Sequence, residues 1–68
     1  MYQLIEMYKD DLKNGLTNEF IGYKVGLTKE YVCEIMNGRP CKKTTAYCLV
    51  KLRNPDFEIE DFFTRVEE

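Results

Sequence analysis

Apolar residues recur along most of this 68-residue chain at the spacing that places them on one side of a helix. The first group predicts a helix that ends at the Lys-Asn-Gly sequence of residues 13–15. Its apolar face consists of Leu4, Ile5, Tyr8 and Leu12. Thr17 is suited to cap a second helix, which is predicted to end before Gly26. The apolar face of this second helix consists of Phe20, Ile21 and Val25.

A third helix is predicted in the middle of the chain. Thr28 can cap it, and the Asn-Gly pair of residues 37–38 is a typical C-terminal stop. Its inner face consists of Val32, Ile35 and Met36. Residues 39–43, Arg-Pro-Cys-Lys-Lys, are predicted to form a loop because proline and its charged neighbours do not suit a helix interior.

The last part of the chain predicts two more helices. Thr44 or Thr45 begins a fourth helix, and the Asn-Pro-Asp sequence of residues 54–56 ends it. The inner face of this fourth helix consists of Ala46, Leu49 and Val50. A short fifth helix is expected over about residues 58–67. Since no alternating strand pattern of useful length is present, we predict an all-α fold, a compact bundle of five helices in a single domain.

Glycines mark the region between the second and third helices, "GYKVGLTKEYVCEIMNG" (residues 22–38). Two helices that meet at a steep angle need a small residue at their contact and a turn residue that tolerates positive φ. Gly22 and Gly26 meet these needs in the right order, and Gly38 ends the second of the two helices. Residues 17–38 therefore predict a helix-turn-helix.

Charge is distributed unevenly around this region, although the net charge is only -2. Residues 24–53 contain seven basic and two acidic side chains, which gives +5, whereas residues 1–23 carry -2 and residues 54–68 carry -5. A basic middle between acidic ends indicates one face for an anionic partner. The alternative is that these are ordinary solvated charges.

Cysteine and histidine content bears on chemistry. The cysteines Cys33, Cys41 and Cys48 form no Cys-x-x-Cys pair, and the chain contains no histidine. Free thiols in a reducing compartment are therefore expected, with no metal site and no cofactor. A catalytic cysteine would need a base or a positive field to lower its pKa, so an enzyme is not expected. With no long apolar run and no secretory signal at its start, the chain is expected to be soluble and cytoplasmic, with no membrane partner.

The sequence "GLTNEFIGYKVGLTKEYVCEIMNGR" resembles the Cro and phage-repressor (XRE) family of helix-turn-helix DNA-binding domains. It matches the family's Gly-Leu-Thr, the small residue within helix two, the turn glycine and the terminal Asn-Gly. "NPDFEIEDFF" is similar to the family's final loop and helix. The resemblance implies a lambda-repressor-like five-helix fold from about Leu4 to Val66, with the third helix in the major groove and the start of helix two on a phosphate. Helix two often begins with glutamine in this family, and Asn18 takes that position here.

By this resemblance, residues 28–37 of the third helix read bases. The base-reading candidates are Thr28, Lys29, Glu30, Cys33, Glu34 and Asn37. The phosphate-contacting candidates are Asn18, Arg39, Lys42 and Lys43, with Lys24 and Tyr31 as further ones. The implied protein is a transcriptional regulator of bacterial or phage origin, which binds double-stranded DNA and represses by blocking polymerase.

A second copy of the chain is also expected, because related proteins commonly bind DNA as symmetric pairs with recognition helices about 34 Å apart. Candidates for a dimer or partner interface are Phe57, Ile59, Phe62, Phe63 and Val66. Adjacent Phe62 and Phe63 cannot face the same way on one helix, so one of them is expected to contact a partner subunit.

A different class of function stays open beside this one. Glu30 and Glu34 place two carboxylates on the helix that would face a polyanion. The alternative is therefore a protein-binding adaptor, such as an antirepressor, a co-repressor or an antitoxin-like protein. It would use this acidic face, or the phenylalanine-rich C-terminal helix, to hold a regulatory protein.

Overall fold

A computed structural model of the protein describes residues 1–67. These residues form four α-helices, two short 3-10 helices and a two-stranded antiparallel sheet. In chain order the elements are β1 (Tyr2–Leu4), a first 3-10 helix (Glu6–Tyr8), α1 (Lys9–Lys13), α2 (Asn18–Val25), α3 (Lys29–Met36), α4 (Lys43–Arg53), a second 3-10 helix (Ile59–Asp61) and β2 (Phe63–Arg65). The predicted helical class is confirmed, whereas the prediction of an all-α fold with five α-helices is wrong.

Threonine side chains begin both helices of the central pair, α2 and α3. Thr17 Oγ1 accepts a hydrogen bond from the Phe20 N–H, and Thr28 Oγ1 accepts one from the Tyr31 N–H, each at 3.1 Å. Each bond satisfies an amide that the start of a helix leaves without an internal partner. Both predicted caps are confirmed, and both helices end where the sequence predicts.

The long helix α4 begins at Lys43, slightly earlier than predicted, and no side-chain hydrogen bond caps its start. It ends at Arg53, ahead of Pro55, as predicted. The ammonium group of Lys51 donates to the carbonyl oxygens of Pro55 at 2.9 Å and Phe57 at 2.7 Å. These bonds hold the chain that leaves α4 against the last turn of the helix.

The N-terminal segment does not form the single helix that its periodicity predicts. Its α-helical part, α1, has only five residues and follows β1 and the first 3-10 helix. The N–H and C=O groups of Tyr2 both bond to Cys41 at 2.7 Å, and β1 pairs with β2 on its other side. An isolated short helix is only marginally stable, so these contacts with distant residues decide the conformation. The predicted end is confirmed, since Asn14 adopts a left-handed conformation with φ 50°.

The helix expected over about residues 58–67 is also wrong. This segment forms the second 3-10 helix and then β2, which is antiparallel to β1 with Leu4 opposite Phe63 and Tyr2 opposite Arg65. Aromatic and β-branched residues are frequent in the segment, and such residues favour strands. Pairing with β1 supplies the backbone hydrogen bonds that an end helix would otherwise have made internally.

Because this segment ends in a strand and not in a helix, its phenylalanine side chains lie elsewhere than the sequence predicts. Phe62 and Phe63 are both buried, with exposed fractions of 3% and 1%, because the backbone changes from a 3-10 turn to a strand between them. The expectation that one of them contacts a partner subunit is therefore wrong. Ile59 is buried as well, while Phe57 and Val66 are half-buried. Of the predicted interface residues, only these last two keep side-chain surface for a partner.

Buried side chains from the helices and the sheet form one core. They are Leu4, Leu12, Ile21, Val32, Ile35, Met36, Cys41, Ala46, Leu49, Val50, Ile59, Phe62 and Phe63. The predicted inner face of α4 is confirmed, whereas Phe20, predicted to face inward from α2, is 42% exposed. Within residues 1–67, no helix has the length and apolar character needed to cross a bilayer.

Candidate nucleic-acid interface

Gly22 lies where α2 contacts the turn that leads to α3. A Cβ atom at this position would lie 2.5 Å from the carbonyl oxygen of Leu27, which is too close for any side chain. The Leu27 N–H donates to the Gly22 carbonyl at 2.8 Å. Glycine thus lets the backbone of the turn lie directly on α2, and the predicted role of Gly22 in close packing is confirmed.

Gly26 makes the turn itself possible by a different property. Its φ is +78°, in the left-handed region, but an added Cβ would meet nothing within 4 Å. The position therefore requires glycine for its backbone conformation and not for space. The predicted corner between α2 and α3 is confirmed. Gly22 allows the close contact, and Gly26 allows the backbone conformation of the turn.

The helix α3 has one buried and one exposed side. Val32 and Ile35 are 0% exposed and Met36 is 4% exposed, so the predicted inner face is confirmed. All six candidate base-reading residues are exposed, on the outer side of α3 or at its ends: Thr28, Lys29, Glu30, Cys33, Glu34 and Asn37. Their exposure agrees with the sequence, and their role in reading bases stays a prediction.

An open groove of about 600 Å³ lies between the starts of α2 and α3. Its lining residues are Thr17, Asn18, Glu19, Lys29, Glu30 and Cys33. The N-terminal end of a helix has unpaired amide groups and a positive partial charge, and both helices begin at this groove. The arrangement suits an anionic group, with Lys29 adding a full positive charge and two carboxylates opposing it.

Asn18, the first residue of α2, lies in this groove. Its side-chain oxygen is buried and has no hydrogen-bond partner among residues 1–67. Leaving a buried acceptor without a partner typically costs about 1–3 kcal/mol. Features of this kind are uncommon in folded proteins and are tolerated more often at functional sites, so Asn18 keeps its place among the candidate residues.

Arg39 lies against the C-terminal half of α3, where it is held by two side chains. Its Nη1 is 3.0 Å from Glu34 Oε1, and its guanidinium carbon lies 5.2 Å from the centre of the Tyr31 ring. The two charged side chains are each 54% exposed. Of the two carboxylates on the outer side of α3, Glu34 therefore has a cationic partner, whereas Glu30 forms no ion pair within residues 1–67.

The end of α3 is also contacted from the N-terminal segment. Lys9 Nζ donates to Asn37 Oδ1 at 3.3 Å, and Asn37 Nδ2 lies 3.5 Å from Cys33 Sγ. Gln3 Nε2 donates to the Gly38 carbonyl at 2.6 Å. Gln3 and Lys9 were not predicted as part of the site. Nothing in the local sequence indicates these contacts, because the partners are far apart along the chain.

The basic residues of the middle segment are not equally available. Arg53 bonds to Asp11 through both a carboxylate oxygen at 3.3 Å and the backbone carbonyl at 2.8 Å, and Lys51 is occupied at the end of α4. Four lysines are exposed and form no ion pair with any residue from 1 to 67: Lys24, Lys29, Lys42 and Lys43. The charge that could meet an anion is therefore smaller than the net charge of the segment suggests.

The cysteines differ in environment. Cys33 and Cys48 are exposed free thiols, and Cys41 is fully buried beside β1. Burial raises the pKa of the Cys41 thiol above its ordinary value, and the nearby N-terminal amino group opposes this in part. In the described part of the chain, no three His, Cys, Asp or Glu residues come together as metal ligands would.

Comparison with known protein families, with curated proteins and with solved structures gives no match. The geometry of α2 and α3 and the charges around them are therefore the basis for a proposed function.

Proposed function

We propose that this protein is a sequence-specific DNA-binding transcriptional regulator, a repressor of bacterial or phage origin, that places α3 in the major groove. The observation that carries the proposal is the corner between α2 and α3. There Gly22 lets the turn that leads into α3 lie directly on α2, and the outer side of α3 is exposed, with Arg39 contacting Glu34 near its end. The resemblance of residues 15–39 to the Cro and phage-repressor family supports the same function.

The dimensions of α3 fit this role. An α-helix with its side chains is narrow enough to enter the major groove, and eight residues span about 12 Å. At a rise of about 3.4 Å per base pair, α3 can reach roughly three or four base pairs. Glu30 can accept a hydrogen bond from a cytosine amino group, and Lys29 can donate to a guanine. This reach is short, so a homodimer with two α3 helices about 34 Å apart is part of the proposal.

We assign phosphate binding to the groove and to the lysines at the start of α4. A phosphate at the start of α2 would meet the helix N-terminus and the amide of Asn18, while Lys42 and Lys43 lie just before and at the start of α4. Four free lysines imply a modest salt dependence. With about 0.9 counterions released per neutralised phosphate, the slope of log K against log salt is expected near −3 to −4 for each protomer.

The test is selection from a pool of random duplex DNA at about 50 and 200 mM salt, followed by sequencing of the bound fraction. A recovered motif whose affinity falls with salt is the expected result. Lys43→Ala should weaken binding to all sequences alike and flatten the slope by about 0.9. Arg65→Ala, which removes an exposed cation from β2, is the matched control and should change neither the affinity nor the salt slope. Absence of any enriched sequence would contradict the proposal.

One observation favours the second candidate, a protein-binding adaptor. Glu30 is exposed in the first turn of α3 and has no cationic partner within residues 1–67. Its carboxylate would repel a phosphate backbone, whereas an arginine-rich protein surface would attract it. Titrating the protein with duplex DNA and, separately, with an arginine-rich peptide distinguishes the two. Amide shifts along α3 produced only by the peptide would favour the adaptor.

A further inference from the structure

The backbone of Arg39 is fixed on α3 as firmly as its side chain. Gly38 has φ +105°, and this turn carries the chain back along the helix so that the Arg39 N–H donates to the Glu34 carbonyl at 3.0 Å. The carboxylate of the same Glu34 holds the guanidinium at 3.0 Å. Tyr31, one turn earlier, lies against the guanidinium at 5.2 Å. One glutamate thus holds Arg39 by main chain and side chain, and an aromatic ring supports its position.

This arrangement does not suit contact with a phosphate. The Arg39 and Glu34 pair has no net charge, so it would release little counterion on binding a polyanion. A phosphate that approached Arg39 would also come close to the Glu34 carboxylate, and the two like charges would repel each other. Lys42 and Lys43, which have no acidic partner within residues 1–67, are better placed for that task.

The same arrangement does suit recognition of a base edge. A guanidinium has five N–H donors in one rigid plane, and Arg39 forms its only ion-pair contact within residues 1–67 through Nη1. Donors on the rest of the plane stay available on a side chain that is 54% exposed. A base edge offers neutral acceptors, so it is not repelled by Glu34 as strongly as a phosphate would be. A fixed orientation also lowers the entropy lost when the donors bind.

We propose that Arg39 is a base-reading residue that specifies guanine, and that Glu34 and Tyr31 are positioning residues that hold its guanidinium in place. Guanine shows two acceptors, N7 and O6, to the major groove, and arginine donates to both. Adenine shows an amino donor at the corresponding place, which would face the arginine donors. This inference rests on the proposed function and replaces the phosphate role assigned to Arg39 from the sequence. Glu34, predicted from the sequence to contact bases itself, accordingly becomes the residue that positions Arg39.

The experiment measures affinity for the selected DNA site and for variants that carry each of the four base pairs at every position, at two salt concentrations. For Arg39→Ala, a preference for G·C of about 5- to 150-fold should disappear at one position, in addition to a smaller and equal weakening of all sequences because Glu34 loses its cationic partner. Lys43→Ala is the matched control, since it should lower affinity for every sequence and flatten the slope. Circular dichroism of each variant checks that it is folded.

Glu34→Gln gives a second readout that a purely structural role would not change. It keeps the shape of the side chain but frees the charge of Arg39. Affinity for all sequences should therefore rise and the salt dependence should become steeper, while the preference for guanine at the Arg39 position falls. Equal weakening of every sequence by Arg39→Ala, with a flatter salt slope, would mean a phosphate contact and would overturn this inference while leaving the proposed function intact. If the wild-type protein selects no sequence, the proposed function fails and this inference fails with it.

Discussion

The α2–α3 corner and the β1–β2 sheet depend on the sequence in different ways. In the corner, each decisive contact joins residues close together in the chain, such as Thr17 with Phe20 and Gly22 with Leu27. In the sheet, the two ends of the chain meet, and Tyr2 pairs with Arg65 on one side and with Cys41 on the other. Local contacts can be recognised from residue spacing, whereas the pairing of distant segments cannot.

The candidate interface on α3 and the sheet that supports it therefore belong to different parts of the molecule. The exposed side of α3 belongs to the locally determined part, while the sheet contributes core side chains and holds the N-terminal segment against the end of α3. A change in the sheet should therefore affect global stability, whereas a change in the corner should also affect the orientation of α3.

Phe63→Ala should have the largest effect, a loss of about 3–5 kcal/mol in the free energy of unfolding. Phe63 is 1% exposed and belongs to the strand that the sequence did not predict. Urea denaturation followed by circular dichroism measures the loss. Thr64→Ala is the control, because Thr64 lies next in β2 and is exposed, and it should change stability by less than about 0.5 kcal/mol. Similar small losses for both variants would mean that β2 is not part of the cooperative core.

Gly22→Ala should cost about 1–3 kcal/mol, because the new methyl group would lie 2.5 Å from a backbone oxygen and would force α2 away from the turn. Since the displaced segment leads into α3, we also expect the proposed DNA binding to weaken by more than the loss of folded protein accounts for. Tyr23→Ala in the same helix is the control, since Tyr23 is 80% exposed. Normal stability and DNA binding in Gly22→Ala would show that the corner does not need close contact.

Gly26→Ala should cost about 1–2 kcal/mol, since an alanine in the left-handed conformation brings its Cβ close to the next carbonyl oxygen. Gly26→Asn should cost less, because asparagine tolerates this conformation better than other side chains. The ranking glycine, asparagine, alanine in unfolding free energy tests whether backbone conformation is what this position requires. A larger loss for asparagine than for alanine would indicate a requirement for space instead, in contrast to the open surroundings of Gly26.

The sequence was sufficient for the central helices because their caps, glycines and apolar faces all indicate the same limits. Thr17, Thr28 and Gly26 each act within one turn of their own position. The two ends of the chain were misassigned for a physical reason. Leu4 and Ile5 have helical spacing to Leu12. However, a short helix there would be only marginally stable, and backbone pairing with Cys41 and with β2 makes the extended conformation the more stable one.

For the candidate site, the sequence predicted which residues of α3 are exposed but not how they are paired. Helical periodicity determines that Glu30, Glu34 and Asn37 face outward. It does not determine that Arg39 turns back to Glu34, which depends on the conformation of Gly38. Nor does it determine that Lys9 reaches Asn37. Assignments based on residue type alone therefore placed Arg39 beside Lys42 and Lys43 as a phosphate contact.

The smallest effect concerns pH and again tests the sheet. Burial raises the pKa of the Cys41 thiol above its ordinary value of 9.0, so the unfolded chain loses this proton at a lower pH than the folded protein does. Below that pH both states keep the proton and Cys41 adds no pH dependence. Above it the unfolded state binds fewer protons, so the free energy of unfolding falls as pH rises.

Urea denaturation at about pH 8 and about pH 10 should therefore show a larger loss of stability in the wild type than in Cys41→Ala, which has no thiol to ionise. Cys41→Ala will be less stable at both pH values, because it removes a buried side chain. The quantity to measure is therefore the difference in free energy of unfolding between the two proteins, and how this difference changes from about pH 8 to about pH 10. Cys48→Ala removes an exposed thiol and serves as the control. If the difference between wild type and Cys41→Ala stays constant with pH, water reaches Cys41 in the folded protein. In that case the pairing of Tyr2 with Cys41 opens readily, and the sheet is more loosely joined to the core than the corner is.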